Sequence, residues 1–343
     1  MPKQVAQLET VTQRNGAFQA NGSTASRLLA GGFRSSEMRT LDVLRKDEWI
    51  QFDTAVVDVS RERLGAVDQL VSRGLTYGVG NALGTTRVEW ERVSDMTPAE
   101  INMAGVTEGE RDRVVFALDN VPLPIIHKDF NINIRALEAS RRLGETLDTT
   151  QARVATRLVA ESIEDILFNG ASLTAIGGTI YGYTTAPNRN TGSLTGANGW
   201  ITGTDGIDAV NDVIAMQDAL RSDNHYGPYG LYVPVQWLGN LSGDFKANSD
   251  KTTIARIMEL PDMAFVAHSN RLTGTLAGAT GDEVILVSLT SDVVDMIMGL
   301  QPTVMQWETM GGFIVNFKVM AIMVPRMKSD SNLQSGIAHY TVP

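Results

Sequence analysis

The segment Thr146–Gly170, TLDTTQARVATRLVAESIEDILFNG, constrains this chain more than any other. Asp148 stands where an N-cap is needed, with Gln151 at the capping-box position and Gly170 directly after Asn169 as a stop. The spacing predicts a helix over 148–169, a rod of about 30 Å at roughly 1.5 Å per residue. Val154, Leu158, Val159, Ile163, Ile166 and Leu167 form its expected apolar face, opposite Arg153, Arg157, Glu161, Glu164 and Asp165. Such a helix is a beam that must lie on a sheet or another helix.

Elements on either side supply candidates for that support. Residues 1–40, rich in Gln, Asn, Ser, Thr and Gly, read as an extended polar arm. From Asp47 to Gly74, Trp49, Phe52, Val56, Val59, Val67 and Leu70 fall near helical spacing, and Arg63 interrupts the stripe, which predicts a break there. TTRVEWERV and RDRVVFAL are strand candidates flanking the turn-rich SDMTPAEINMAGVTEGE. Between Asn81 and Ile125 four Arg face eight acids, a local charge of −4. An isolated two-stranded arm is marginal, so this one must lie on something.

After a Gly-rich crossing at 171–204, a helix at Asp205–Arg221, the strand YGLYVP, helices around Trp237 and Ile254–Glu259, and the strands MAFVA and EVILVS alternate as an α/β unit. The last long strand candidate, FIVNFKVMAIMVP, places Phe313, Val315, Phe317, Val319, Ala321 and Met323 on one face, suited to packing on the long helix.

Composition excludes several chemistries. The 343 residues contain no cysteine, which removes disulfides, thiolate metal sites and cysteine nucleophiles. No signal-length apolar run occupies the first 40 residues, and VMAIMVP is far too short to span a bilayer, so the expectation is a soluble protein made in the cytoplasm, without a membrane partner. A net charge of −10 opposes non-specific nucleic-acid binding. Residues 1–36 are the local exception, with Lys3, Arg14, Arg27 and Arg34 against Glu9.

Gly78 and Gly80 in GVGNALG lack the third glycine and following helix of a dinucleotide loop, and read as a backbone bend. Glu161, Glu164 and Asp165 have no partnering His and read as a charged solvent or intersubunit face, with Arg157 in reach of Glu161. His127, His225, His268 and His339 stand singly. Neither a nucleophile elbow nor a phosphate loop occurs. The sequons at Asn21 and Asn240 carry no meaning without a secretory route. Seven Met between Met296 and Met327 suit buried contact surface. No catalytic residue, metal site or cofactor is assigned.

The order of arm, amphipathic helix, charged loop, long helix, α/β unit and returning strand resembles the tailed-phage major capsid fold, the Hong Kong ninety-seven fold, also used by encapsulin compartments. LRKDEWIQFDTAVVDVSRERL is similar to the Trp-containing first helix of encapsulin-like shells, and PIIHKDFNINIRALEASRRLGETLDTTQARVATRLVAESIEDILFNG to their strand, linker and long helix. The resemblance implies an α+β chain with an N-terminal arm (1–40), an N-terminal helix region (41–80), an extended loop (81–125), a peripheral domain in two parts (126–204 and 300–343) and an axial domain (205–299). It implies no enzyme activity. It implies pentamers and hexamers of the same chain forming an icosahedral virion shell, assembled in the host cytoplasm, around double-stranded DNA that is contacted weakly, through the arm. Scaffolding, portal and cement proteins are the implied further partners; an encapsulin-type compartment around a cargo enzyme is the alternative. Arg87, Glu89, Trp90, Glu91, Arg92, Arg111 and Arg113 are the expected intersubunit contacts. Some relatives weld subunits through a loop lysine, but this chain has none between Lys46 and Lys128.

Overall fold

The computed structural model describes residues 54–60, 64–94, 96–97, 101, 103, 113–133, 135, 149–173, 178–196, 199–200, 206–246, 250–274, 281–310, 313–330, 332 and 334–343. The expected N-terminal arm, Trp49, Phe52, Arg63, Arg111, Asp148 and the middle of the charged loop lie outside these residues.

The pleat of one long strand organises the molecule. Strand β12 (Ile314–Met327) alternates buried and half-buried residues at its start, then is buried continuously from Val319 to Arg326. Successive side chains of a strand point to opposite faces, so its second half must be covered on both. Its antiparallel partner is β11 (Val294–Thr309), with register shifts between Met298 and Thr303. Strand β1 (Thr76–Gly78) adds to β11 in parallel and β4 (Ile126–Asn133) to β12 antiparallel, giving the order β1-β11-β12-β4.

Helix α2 (Thr150–Asn169) covers one face of this sheet. Ala152, Ala155, Val159, Ala160, Ile163 and Leu167 pack with Val315, Phe317, Val319, Ala321 and Met323, and the Phe130 and Phe317 rings stack at 5.1 Å. Burial of this apolar surface, at about 25 cal/mol per Å2, is the main force holding the layers together. The expected helix is present from Thr150, with Thr149 as an N-cap that makes no side-chain bond. Its buried stripe is rotated from expectation: Val154 and Leu158 are 42% and 37% exposed. Small residues line the inner stripe and let the helix approach the sheet closely, which ranking by hydrophobicity alone misses. Phe313, expected on the inner face of the last strand, is exposed beyond the start of β12. At the other end of α2, Gly170 adopts φ +71°, and a Cβ there would lie 2.3 Å from the Ile180 carbonyl oxygen. The chain turns at this point into the small hairpin of β5 (Ala171–Leu173) and β6 (Gly178–Ile180).

The N-terminal helical stretch is interrupted as the position of Arg63 suggested. Residues 54–60 are helical, Leu64 is not (φ −93°, ψ 50°), and α1 (Gly65–Ser72) resumes with Ala66, Val67 and Leu70 buried. Leu64 cannot cap α1. The Ala66 N–H instead donates to Glu164 Oε1 of α2 at 2.9 Å. Glu164 thus lies inward and not on the charged outer face expected for it; the residue is half-buried, while its Oε2 is out of solvent with no hydrogen-bond partner. Burial raises its carboxyl from 4.5 to about 7, against the opposing pull of the Ala66 and Val67 amides and Arg271.

A second sheet, β7-β13-β10-β8-β9, comprises β7 (Asn190–Ser193), β8 (Tyr229–Pro234), β9 (Met263–Ser269), β10 (Glu283–Ser288) and β13 (Ile337–Thr341). Helices α3 (Gly206–Ser222) and α4 (Thr253–Met258) pack with it through Val213, Met216, Leu220 and Ile257 around Trp200 and Trp237. Buried Asp212 accepts from Trp200 Nε1 at 2.8 Å and from the Thr195 amide and hydroxyl. Sheet membership crosses the boundaries expected at 204 and 299: β7 and β13 join the α/β sheet, and β11 begins at Val294 in the other. Phe168, Tyr183, Tyr232 and Phe265 pack ring to ring and link the end of α2 to β8 and β9.

The Glu164 geometry fixes a pH effect. An acid with a folded-state pKa near 7 and an unfolded value of 4.5 binds more protons when folded between those limits, so stability is lost as pH rises through 7. Glu164→Gln keeps the acceptor for Ala66 without the charge. Thermal melts of the variant and parent are expected to nearly coincide at pH 4.5, with the variant melting higher at pH 8.

Candidate intersubunit surfaces

Strands β2 (Arg87–Val93) and β3 (Phe116–Pro122) form the antiparallel arm, in a register pairing Val88 with Val121, Trp90 with Asp119, Glu91 with Leu118 and Val93 with Phe116. The first strand matches TTRVEWERV; the second shares Phe116, Ala117 and Leu118 with the expected RDRVVFAL and runs on to Pro122, where Val121 and Pro122 are buried by the body.

The root of the arm packs on the face of the β11–β12 ribbon opposite α2. Val88, Val121 and Leu123 cluster with Ile297, Ile322, Val324 and Ile180. A Cβ at Gly299 would lie 2.5 Å from the Ala82 methyl, so only glycine allows this approach. Arg326, also on that face, donates to both carboxylate oxygens of the cross-strand Asp295 at 2.8 and 2.5 Å, and Lys328 Nζ reaches Asp295 Oδ2 at 2.8 Å. The same guanidinium lies 4.5 Å from the Tyr77 ring centre and 5.4 Å from that of Trp90. One buried cation thereby joins β1, β2, β11 and β12.

Alternation along β2 then sorts the predicted contacts. Trp90 and Arg92 turn toward the body: Trp90 is half-buried under Arg326, and Arg92 faces Asp119 at 3.6 Å and donates to Ser329 Oγ at 3.3 Å. In the isolated chain these two serve the arm's own root. Arg87, Glu89 and Glu91 lie on the exposed face, and Arg113 is exposed ahead of β3. Beside the acids are exposed apolar side chains that sequence reasoning did not single out, Val93, Val115, Phe116 and Leu118; Phe116 is 63% and Leu118 61% exposed. Their signal was the unbroken apolar run VVFAL in an otherwise charged segment, read only as strand propensity. Met310 and Phe313 expose a second apolar tip at the β11–β12 turn.

Arg157 Nε lies 3.6 Å from Glu161 Oε1 on α2, as spacing predicted. The four histidines remain apart, His127 beside Asp129, His225 facing Asp292 and His339 bonded by Arg189. Among the described residues no group of three His, Cys, Asp or Glu is arranged to hold a metal, and no helix is long and apolar enough to cross a membrane.

Residues 38–340 match the family of unknown function DUF6260. The chain belongs to that family. It is 26% identical over 264 residues to the type 1 encapsulin shell protein EncA of Myxococcus xanthus (strain DK1622), covering 75% of this chain and 84% of that protein. Among solved structures it is similar to the virus-like particle from Pyrococcus furiosus, with TM-score 0.57 and 17% identity over 84% of this chain and 97% of the other. It is also similar to the capsid of Myoviridae phage XM1, with TM-score 0.59 and 10% identity over 79% and 90%. The DUF6260 chain has the Hong Kong ninety-seven fold expected from its sequence.

Removing the cation at the arm root has a defined cost. Arg326→Met is expected to lower stability by about 3 kcal/mol, at the low end for a broken buried pair because Lys328 still faces Asp295. Chemical denaturation measures this loss, and limited proteolysis is expected to cut the variant's arm faster than the parent's.

Proposed function

We propose that this chain is a shell subunit, the major capsid protein of a tailed bacteriophage, which assembles into an icosahedral container for double-stranded DNA. One observation carries the reading. The arm is fastened at its root by buried contacts, yet its far part displays Val93, Phe116 and Leu118 beside Glu89 and Glu91. A polypeptide that builds a rigid mount for an apolar surface uses that surface against another molecule. Copies of the same chain are the partner consistent with the fold and with the relatives named above.

In this reading residues 81–125 are the extended loop, and the layer of α2 with the β11–β12 ribbon is the peripheral domain. The sheet of β8, β9 and β10 with α3 and α4 is the axial domain. Each contact between copies is small, and repetition around pentamers and hexamers makes the shell strong. With no lysine between Lys46 and Lys128, a loop-lysine weld is absent from the scheme, so non-covalent contacts or a cement protein bear the load. The net charge of −10 keeps packaged DNA from adhering to the wall, while the basic excess in residues 1–36 gives it a weak contact. Scaffolding and portal proteins complete assembly in the host cytoplasm. The subunit performs no catalysis.

The similarity to EncA favours a second reading, a compartment enclosing a cargo enzyme. Purified particles distinguish the two: genomic DNA inside supports the capsid, and a co-purified host enzyme supports the compartment.

Negative-stain microscopy and light scattering of the expressed protein are expected to show closed shells, alone or with a scaffold. A monomer under every such condition contradicts the proposal. Deletion of residues 85–118 is expected to leave a subunit that still melts cooperatively, at lower temperature, but forms no closed shell, because among the described residues of that stretch only Val88 and Trp90 join a core cluster.

A further inference from the structure

Where α1 meets the middle of α2, the surface carries a cleft of about 630 Å3. The first turn of α1, Glu161 and Glu164 of α2, and the turn after β9 with Arg271 form its walls. Tyr232 of β8 also lines it and is 1% exposed. Two polar atoms of these residues have no hydrogen-bond partner, Glu164 Oε2 and the Tyr232 hydroxyl. The groups around them are already committed. Glu164 Oε1 takes the Ala66 amide at 2.9 Å, and Arg271 donates to the Glu161 carbonyl at 3.2 Å and faces Asp165 at 3.7 Å.

What these atoms lack defines what they would bind. A carboxylate oxygen only accepts, and a phenol oxygen accepts as readily as it donates, so one strong donor serves both. A water molecule fills that role but leaves the carboxylate charge without a counterion. The charged lining decides the sign: two carboxylates face one guanidinium and one imidazole, which favours a cation and opposes an anion. Burial has raised the Glu164 carboxyl to about 7, so an incoming positive charge has much to stabilise. Ala66, Val235 and Ala267 supply an aliphatic wall, which suits a hydrocarbon chain better than a hydrated metal ion.

We propose that this cleft binds a primary ammonium carried on a short aliphatic chain, its N–H groups donating to Glu164 Oε2 and the Tyr232 hydroxyl and its chain lying over Ala66, Val235 and Ala267. Both acceptors lie below the cleft surface, out of solvent contact, so the ligand enters as side chains at the mouth turn aside. Glu161 and Gln69 are placed to do so: Glu161 is held by Arg157 at 3.6 Å, and Gln69 by Arg73 one turn along an exposed helix face. Every contact lies within one chain, so the proposal stands independently of the shell reading. Binding ties α1 to α2 and β8, and therefore raises the stability of the folded chain.

Calorimetric titration of the full-length protein at pH 8 tests it. n-Butylammonium chloride is expected to bind saturably with a Kd of about 1 mM or tighter and to raise the Tm. Tetramethylammonium chloride, which has the charge but no N–H, and sodium butyrate, which has the chain but the opposite charge, are expected not to bind. Glu164→Gln is expected to weaken butylammonium binding about tenfold or more and Tyr232→Phe about fivefold, as for a charged and a neutral hydrogen bond. The thermal melt of Glu164→Gln, expected above the parent's at pH 8, verifies that this variant is folded. Nα-acetyl-lysine amide separates two sources of the same chemistry: binding tighter than that of butylammonium supports a lysine side chain of a partner, and weaker binding supports a free amine. No saturable butylammonium binding by the parent, an unchanged Kd in Glu164→Gln, or equally tight binding of tetramethylammonium overturns the proposal.

Discussion

Covering both faces of one strand is the constraint on which the molecule depends. From Val319 to Arg326, β12 is buried continuously. Val319, Ala321 and Met323 face α2, and Ile322, Val324 and Arg326 face the root of the arm. A strand that needs two covers brings two elements distant in sequence into fixed relation. The same packing that stabilises the subunit therefore sets where the arm leaves it, and weakening either cover loosens the other.

Arg326 gives that geometry its precision. Apolar packing is non-directional, and alone it leaves the arm several nearly equal angles of departure. A planar guanidinium bonded to both oxygens of Asp295 and stacked on Tyr77 and Trp90 accepts far fewer. Shell assembly needs such directional mounting, because a small angular error in one tile is repeated at every contact. Glu164 plays a related part at the opposite cover, holding the uncapped first turn of α1 through Ala66. It does so with a carboxyl that burial has made reluctant to ionise.

Much of this was legible in the sequence, for reasons that differ by element. The long helix was readable because twenty residues repeat one period between clear boundaries, and β12 because FIVNFKV alternates. The run VMAIMVP carried more than was taken from it: seven apolar residues without alternation announce a strand buried on both sides. Helix rotation was less readable, since Ala152, Ala155 and Ala160 are weak hydrophobic signals but good packing residues, and Val154 and Leu158 are strong signals left outside. On the arm, residue types identified a polar, charged strand, but only the register with β3 separated Trp90 and Arg92, turned inward, from Glu89 and Glu91, turned outward. Cross-sheet partners such as Arg326 and Trp90 have no signature in sequence spacing, because 236 positions separate them (326 − 90).

The central claim is that the arm's exposed apolar face is surface in the free subunit and interior in the shell. Hydroxyl-radical footprinting of Phe116 and Leu118 in dissociated subunits and in assembled particles tests it most directly. The account predicts strong labelling of both residues in free subunits and protection in particles, with β8 and β10 side chains unlabelled in either state. Equal labelling of Phe116 and Leu118 in the two states would contradict it.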